Sequence, residues 1–200
     1  MWRLEAIHPD WTEEEGGEDG WEPLVASWAV RTDRGLVLID PLVDDWAALD
    51  ELVGQHGLCP AILRTVHYHQ RSIAQVSERY GADVWAMPAP EGVPQHPYDR
   101  PVRDGTEVIE GIRATVMERD DEVAYWLPRQ QALVFGDAML RRAGGELRVC
   151  PDWWVQPAGG SARLRQILRG LAAGPVEHVL VSHGPLVLGD GPQALASALG

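Results

Sequence analysis

His67-Tyr68-His69-Gln70-Arg71-Ser72 is the stretch on which the reading of this chain turns. Two histidines spaced i, i+2 point the same way along an extended segment, a placement that suits joint binding of one metal ion. The stretch follows the apolar run Ala61-Ile62-Leu63-Arg64-Thr65-Val66, which predicts a buried strand leading into the imidazoles.

Further out, three more apolar runs end in residues able to bind metal. Ile39 is followed by Asp40, Phe135-Gly136 by Asp137, and Val181-Ser182 by His183. Ligand sites in sheets gather at the carboxyl ends of strands, where loops expose side chains on a rigid base. A lone Asp or His at a strand end reads as a turn or cap residue. The four ends taken together predict convergence on one site, with the His67/His69 pair as its strongest member.

The intervening patterns supply the scaffold. Leu36–Ile39, Val84–Ala86, Ile112–Met117, Val123–Leu127, Ala132–Phe135 and His178–Val181 read as further strands. Trp46, Leu49, Leu52 and Val53 share a helical face behind Asp44 and Asp45 as candidate caps. Leu164, Ile167, Leu168 and Leu171 form another, with Ser161 as N-cap and Gly174-Pro175 as a stop. Gln193–Leu199 reads as a short closing helix. Strands mixed with helices throughout predict an α/β chain, or α+β with substantial sheet. Asp10–Gly20, acidic and Gly-rich, and Met87–Asp104, with prolines at 88, 90, 94, 97 and 101, read as irregular connections. Regular patterns resume on both sides of each, so residues 1–200 read as a single domain.

Composition narrows the partners. A net charge of −13 argues against nucleic acid or an anionic membrane surface as partner, and a small-molecule substrate stays open. Apolar residues make up 45% of the 200-residue chain, enough to build a core. Cys59 and Cys150 each precede a proline and form no C-x-x-C pair, so they read as reduced thiols of a cytoplasmic protein. Met1-Trp2-Arg3-Leu4-Glu5 has no long apolar stretch behind it, and no run approaches the length of a membrane span. Neither a serine-hydrolase elbow nor a Gly-rich phosphate loop is present, and Gly189-Asp190-Gly191 lacks the further glycine of a dinucleotide fingerprint.

The order of these pieces resembles the metallo-β-lactamase superfamily over nearly the whole chain. His67–Ser72 is similar to its H-x-H-x-D-H signature, Leu36–Asp40 to its early "LID" strand end, and Glu122–Leu127 to the strand after its third histidine. Leu133-Val134-Phe135-Gly136-Asp137 resembles "LFxGD", and Val181-Ser182-His183-Gly184 the terminal "pgHG" turn. The resemblance implies a four-layer αβ/βα sandwich, with two mixed β-sheets face to face, helices on both outer faces and a site along one edge. It also implies a metal-dependent hydrolase whose first site would use His67, His69 and a third ligand near Glu118. Its second site would use Asp137 and His183 together with two residues that are Arg71 and Ser72 in this chain. Serine is a poor ligand for a divalent cation and arginine is none.

Two readings of Arg71 stand side by side: a guanidinium that pairs with Asp137 in place of the second cation, or one that faces solvent or another carboxylate. Glu118 likewise is either the acid of a His2Glu zinc set or a solvated loop acid, with Asp120 and Asp121 as neighbours that a one-residue shift would bring inward. Trp153-Trp154 could wall a substrate pocket or cover the core, as most of the nine tryptophans should. Two functions follow. The first is a hydrolase of an ester, thioester or amide with at most one ion, zinc being the expected one, in which Asp137 orients water and His183 binds substrate or carries a proton. The second is a metal-free pseudoenzyme that keeps the sandwich as a binding module.

Overall fold

Leu36, Val37, Leu38 and Ile39 are all buried, a state that a strand reaches only with a layer packed on each face. Val37 and Ile39 face a core shared with Tyr125, Leu127, Val134 and Leu180. Leu36 and Leu38 pack instead with Leu49, Val53, Ile73 and Val76. The alternation places this strand between a second sheet and a layer of helices.

The computed structural model describes residues 1–7, 24–58, 60–88, 99–117, 122–141, 145–155 and 160–200. Its first half comprises β1 (Trp2–Ile7), β2 (Leu24–Thr32), β3 (Gly35–Ile39), α1 (Trp46–His56), β4 (Ala61–Leu63), α2 (Ile73–Tyr80), β5 (Asp83–Ala86) and β6 (Asp99–Pro101). These strands form one sheet in that order, antiparallel from β1 to β3 and parallel from β3 to β6. Asp45 starts α1 by accepting the Ala48 N–H at 2.9 Å, the role expected of a cap.

The second half comprises β7 (Glu107–Ile109), β8 (Ile112–Val116), β9 (Val123–Leu127), β10 (Ala132–Phe135), the β11 (Met139–Arg141)–β12 (Leu147–Val149) hairpin, α3 (Gly160–Ala172), β13 (His178–Val181) and α4 (Gly191–Leu199). Its main sheet runs β13-β10-β9-β8-β7, with β13 parallel to β10 and the remaining pairs antiparallel. Leu164 and Leu168 of α3 and Leu195 and Leu199 of α4 cover its outer face against Leu133, Phe135, Val179 and Val181. Two mixed sheets with helices on both outsides make the four-layer sandwich.

Backbone groups tie the sheets together at one edge. The Ala26 N–H donates to the Ser182 carbonyl at 2.9 Å and the Val123 N–H to the Thr65 carbonyl at 2.7 Å. Tyr125 of β9, wholly buried, donates to the Arg64 carbonyl at 3.1 Å. Burial pushes its phenol far above the ordinary value, and the charge of Asp40 adds to the rise.

Several expected elements differ. The strand at Ala61 ends at Leu63 rather than Val66, because the Thr65 N–H leaves the ladder for the Asp40 carboxylate at 2.8 Å. Ser161 lies inside α3, which begins at Gly160, so it is not the N-cap. The Pro-rich connection contains the edge strand β6, whose Pro101 an edge position tolerates. Residues 89–98 of that connection, the Asp10–Gly20 segment and Cys59 lie outside the described residues. Cys150 is buried. No helix among the described residues is long and apolar enough to cross a membrane.

Two glycines separate close approach from mere openness. Gly184 has φ +85°, and a Cβ there would lie 1.5 Å from the Arg141 carbonyl oxygen. Gly54, exposed inside α1, has nothing within 4 Å of such a Cβ. Gly184→Ala is expected to cost about 2 kcal/mol or more, lowering the melting temperature by roughly 4–8 °C for a chain of this size. Gly54→Ala should raise stability by about 0.5–1 kcal/mol. Thermal melts of both variants check the opposite signs.

Candidate metal centre

Directly after β3 the chain turns into a left-handed residue, Asp40 at φ +45°, a conformation aspartate tolerates better than most side chains. Donors surround it. Its carbonyl accepts from Ser27 Oγ at 2.7 Å and Arg71 Nη1 at 2.9 Å. Its carboxylate accepts from the Thr65 N–H at 2.8 Å, from the Thr65 hydroxyl and from His69 Nδ1 at 2.9 Å.

The other nitrogen of His69 looks into the second half of the chain. His69 Nε2 lies 3.5 Å from Asp137 Oδ1, and His183 Nε2 lies 3.3 Å from the same oxygen. Tyr68 donates its hydroxyl to Asp137 Oδ2 at 2.6 Å. One donor atom from each of His69, Asp137 and His183 falls within 4.8 Å of the others, and all three residues are buried. Asp137 is set in place by Glu122, wholly buried, whose Oε1 accepts the N–H groups of Gly136, Asp137 and Ala138 at 3.0, 3.0 and 2.9 Å. A Cβ at Gly136 would lie 2.5 Å from Thr65 Oγ1, so the end of β10 meets Thr65 this closely only with glycine there.

Burial and charge oppose one another across the cluster. Burial would raise the carboxyl of Asp40, but His69, Arg71 and Thr65 together hold it below the ordinary value. Burial acts likewise on Asp137, and His69 with His183 holds it well below the usual carboxylate range. Burial and Arg71 push His69 down, yet Asp137 and Asp40 prevail and raise it. His183 is lowered by burial, which its bond to Asp137 only partly offsets. Burial also lowers Arg71, against the pull of Asp40 and Asp137, but a guanidinium stays charged at neutral pH.

Of the residues read from the sequence, His69, Asp137 and His183 meet, with Asp40 behind them. His67 stands outside that group of three; it is half-buried and packs edge-on against Tyr68, with ring centroids 5.0 Å apart. Glu118, Asp120 and Asp121 lie outside the described residues. Arg71, at φ +40°, gives Nη1 to the carbonyls of Ala26 and Asp40 at 3.0 and 2.9 Å, so it binds backbone and acts on Asp137 through charge. Ser72 Oγ accepts the Val43 N–H at 3.0 Å and serves the loop after β3. Trp154 packs on the outer core, whereas Trp153 is 69% exposed with its ring at right angles to that of Trp154. Thr65, Tyr68 and Glu122 were not legible as site residues. Only Glu122 left a trace, as a carboxylate heading the apolar run that became β9.

The donor set fits one cation. Two imidazole nitrogens and one carboxylate oxygen, with a carboxylate behind one imidazole, match the make-up of a mononuclear site. Among the described residues Arg71 and Ser72 add no further ligand, since Arg71 is itself a cation bound to backbone carbonyls and Ser72 Oγ accepts the Val43 N–H.

No protein-family model matches this chain, and no curated protein does. Solved structures do. A metallo-β-lactamase family protein, TTHA1429, from Thermus thermophilus is 18% identical with a TM-score of 0.60, over 87% of this chain and 73% of its own. TTHA1623, solved in a di-iron-bound form, is 23% identical with a TM-score of 0.64, over 85% of this chain and 92% of its own. The archaeal metallo-β-lactamase superfamily protein ST1585 from Sulfolobus tokodaii is 14% identical with a TM-score of 0.67, over 88% and 78%. This chain carries the metallo-β-lactamase fold.

Proposed function

We propose that this chain is a metallo-β-lactamase-fold hydrolase-like protein holding a single divalent cation on His69, Asp137 and His183. The observation that carries the reading is three buried donor atoms within 4.8 Å, with Asp40 seated 2.9 Å behind the His69 ring. A histidine that binds a cation through one nitrogen characteristically gives its other N–H to a carboxylate, which fixes the tautomer and the ring. Zinc is the ion whose preferences suit two imidazoles and a carboxylate with a position left open. When bound, it lowers the pKa of water towards about 7 and polarises a carbonyl oxygen, chemistry that suits a small ester, thioester or amide.

The chain's own groups do the rest. Asp40 holds the Nδ1 proton of His69, so Nε2 is the nitrogen that would hold a cation. Glu122 holds the Asp137 backbone, so the carboxylate is presented in one pose to orient water. His183, kept neutral by burial, is ready as a ligand without first losing a proton.

A second reading rests on charge. Asp40 and Asp137 are held below the usual carboxylate range, and the chain's own Arg71 and the raised His69 are set against them, a balance struck without any ion. That balance favours a metal-free pseudoenzyme that uses the cleft, or another surface, for binding.

Metal analysis of protein purified without an affinity tag separates the two. The hydrolase reading expects about one equivalent of zinc, manganese or iron, abolished by His69→Ala with His183→Ala and retained in His67→Ala. Asp40→Asn should weaken metal affinity by about 10–100-fold. Saturating metal at about 100-fold above its Kd should add about 2.7 kcal/mol of stability. Protein that takes up no metal, shows no thermal shift and cleaves nothing in a thioester and lactone panel would overturn this reading in favour of the second.

A further inference from the structure

We infer that Tyr68 is a positioning residue that reserves one oxygen of Asp137 and thereby holds the site at a single, one-oxygen carboxylate contact. The inference rests on the mononuclear reading above. Tyr68 is 44% exposed, one of few large apolar side chains so open, yet its hydroxyl reaches a carboxylate whose residue is only 5% exposed. The contact is short, 2.6 Å to Oδ2, as expected of a phenol donating to an ionised acceptor. Two imidazoles pack edge-on against the ring. Its centroid lies 5.0 Å from that of His67 at 83° and 5.3 Å from that of His69 at 88°, both edge-on. His-Tyr-His therefore acts here as a clamp: one imidazole braces the phenol and the other is a candidate ligand.

The consequence falls on Asp137. Both candidate imidazoles approach Oδ1, at 3.3 and 3.5 Å, while Oδ2 belongs to Tyr68. A carboxylate can bind an ion through one oxygen, chelate it through both, or bridge two ions. Donation from the phenol occupies one lone pair of Oδ2 and lowers its pull on an ion, so the first mode is favoured over the other two.

Protein loaded with cobalt(II) in place of zinc reads this in its visible spectrum, because band intensity and position follow coordination number. Wild type is expected to bind one equivalent with the intense bands of a four-coordinate ion. Tyr68→Phe keeps the ring and loses the donor. It is expected to retain one equivalent but give weaker bands at shorter wavelength, as Asp137 brings both oxygens to the ion. An unchanged spectrum with cobalt still bound overturns the inference and leaves metal binding intact. Wild type that takes up no cobalt overturns the metal reading, and the inference falls with it. X-ray absorption of zinc-loaded wild type asks the same question without a substitution, so a misfolded variant leaves nothing open. One short carboxylate oxygen distance supports the inference, and a pair of longer ones overturns it.

Discussion

His69 carries a carboxylate on each ring nitrogen, Asp40 at 2.9 Å from Nδ1 and Asp137 at 3.5 Å from Nε2. The rest of the site depends on that imidazole because its two partners come from different sheets. Asp40 follows β3 of the first sheet, and Asp137 follows β10 of the second. Buried charges are costly unless they are paired and hydrogen-bonded. A ring that satisfies one carboxylate from each sheet brings the two strand ends into a fixed relation. The backbone ties nearby, Val123 to Thr65 and Ala26 to Ser182, fall along the same edge and reinforce it.

Support around the cluster is arranged so that each acid is held by its own set of donors. Thr65 gives both its N–H and its hydroxyl to Asp40. Glu122 collects three consecutive N–H groups at the end of β10, and so fixes the backbone of Asp137 rather than its side chain. The side chain of Asp137 is left to the imidazoles and to Tyr68. This division explains why Gly136 is needed: Thr65 must sit close to the β10 turn to reach Asp40, and a side chain at 136 would occupy that space.

The central strands were readable because they are apolar on both faces, whereas their four-layer arrangement came only from the resemblance of their order and end residues to a known family. Val123–Leu127, Ala132–Phe135 and His178–Val181 have the extents expected, each being nearly all buried. The outlying pieces were not readable. β6, β7, β11 and β12 are three residues each, too short to show any period, and α2 offers only Ile73 and Val76 as buried apolar anchors. Within the site, the strand-end rule located Asp40, Asp137 and His183, because side chains there are placed by the sheet. His67 and His69 were read as joint ligands of one ion, and His67 stands outside the group of three. The i, i+2 argument assumes an extended segment, and residues 67 and 68 form a turn once Thr65 has left the ladder.

Arg71, Ser72 and Tyr68 each serve a polar group beside the candidate donors. A buried polar group left without a partner costs about 1–3 kcal/mol. Here the Ser72 hydroxyl takes the Val43 N–H, and Arg71 Nη1 is shared by the carbonyls of Ala26 and Asp40. Tyr68 takes the second oxygen of Asp137. The Val43 N–H, the carbonyl of the left-handed Asp40 and Oδ2 of Asp137 are each met by a side chain outside the candidate donor set, while Arg71 Nε stays buried without a hydrogen bond. A metal-binding side chain placed at position 72 would therefore do more than add a donor. It would take an acceptor from the Val43 N–H and loosen the loop that carries Asp40, so the change reaches His69 through its carboxylate partner.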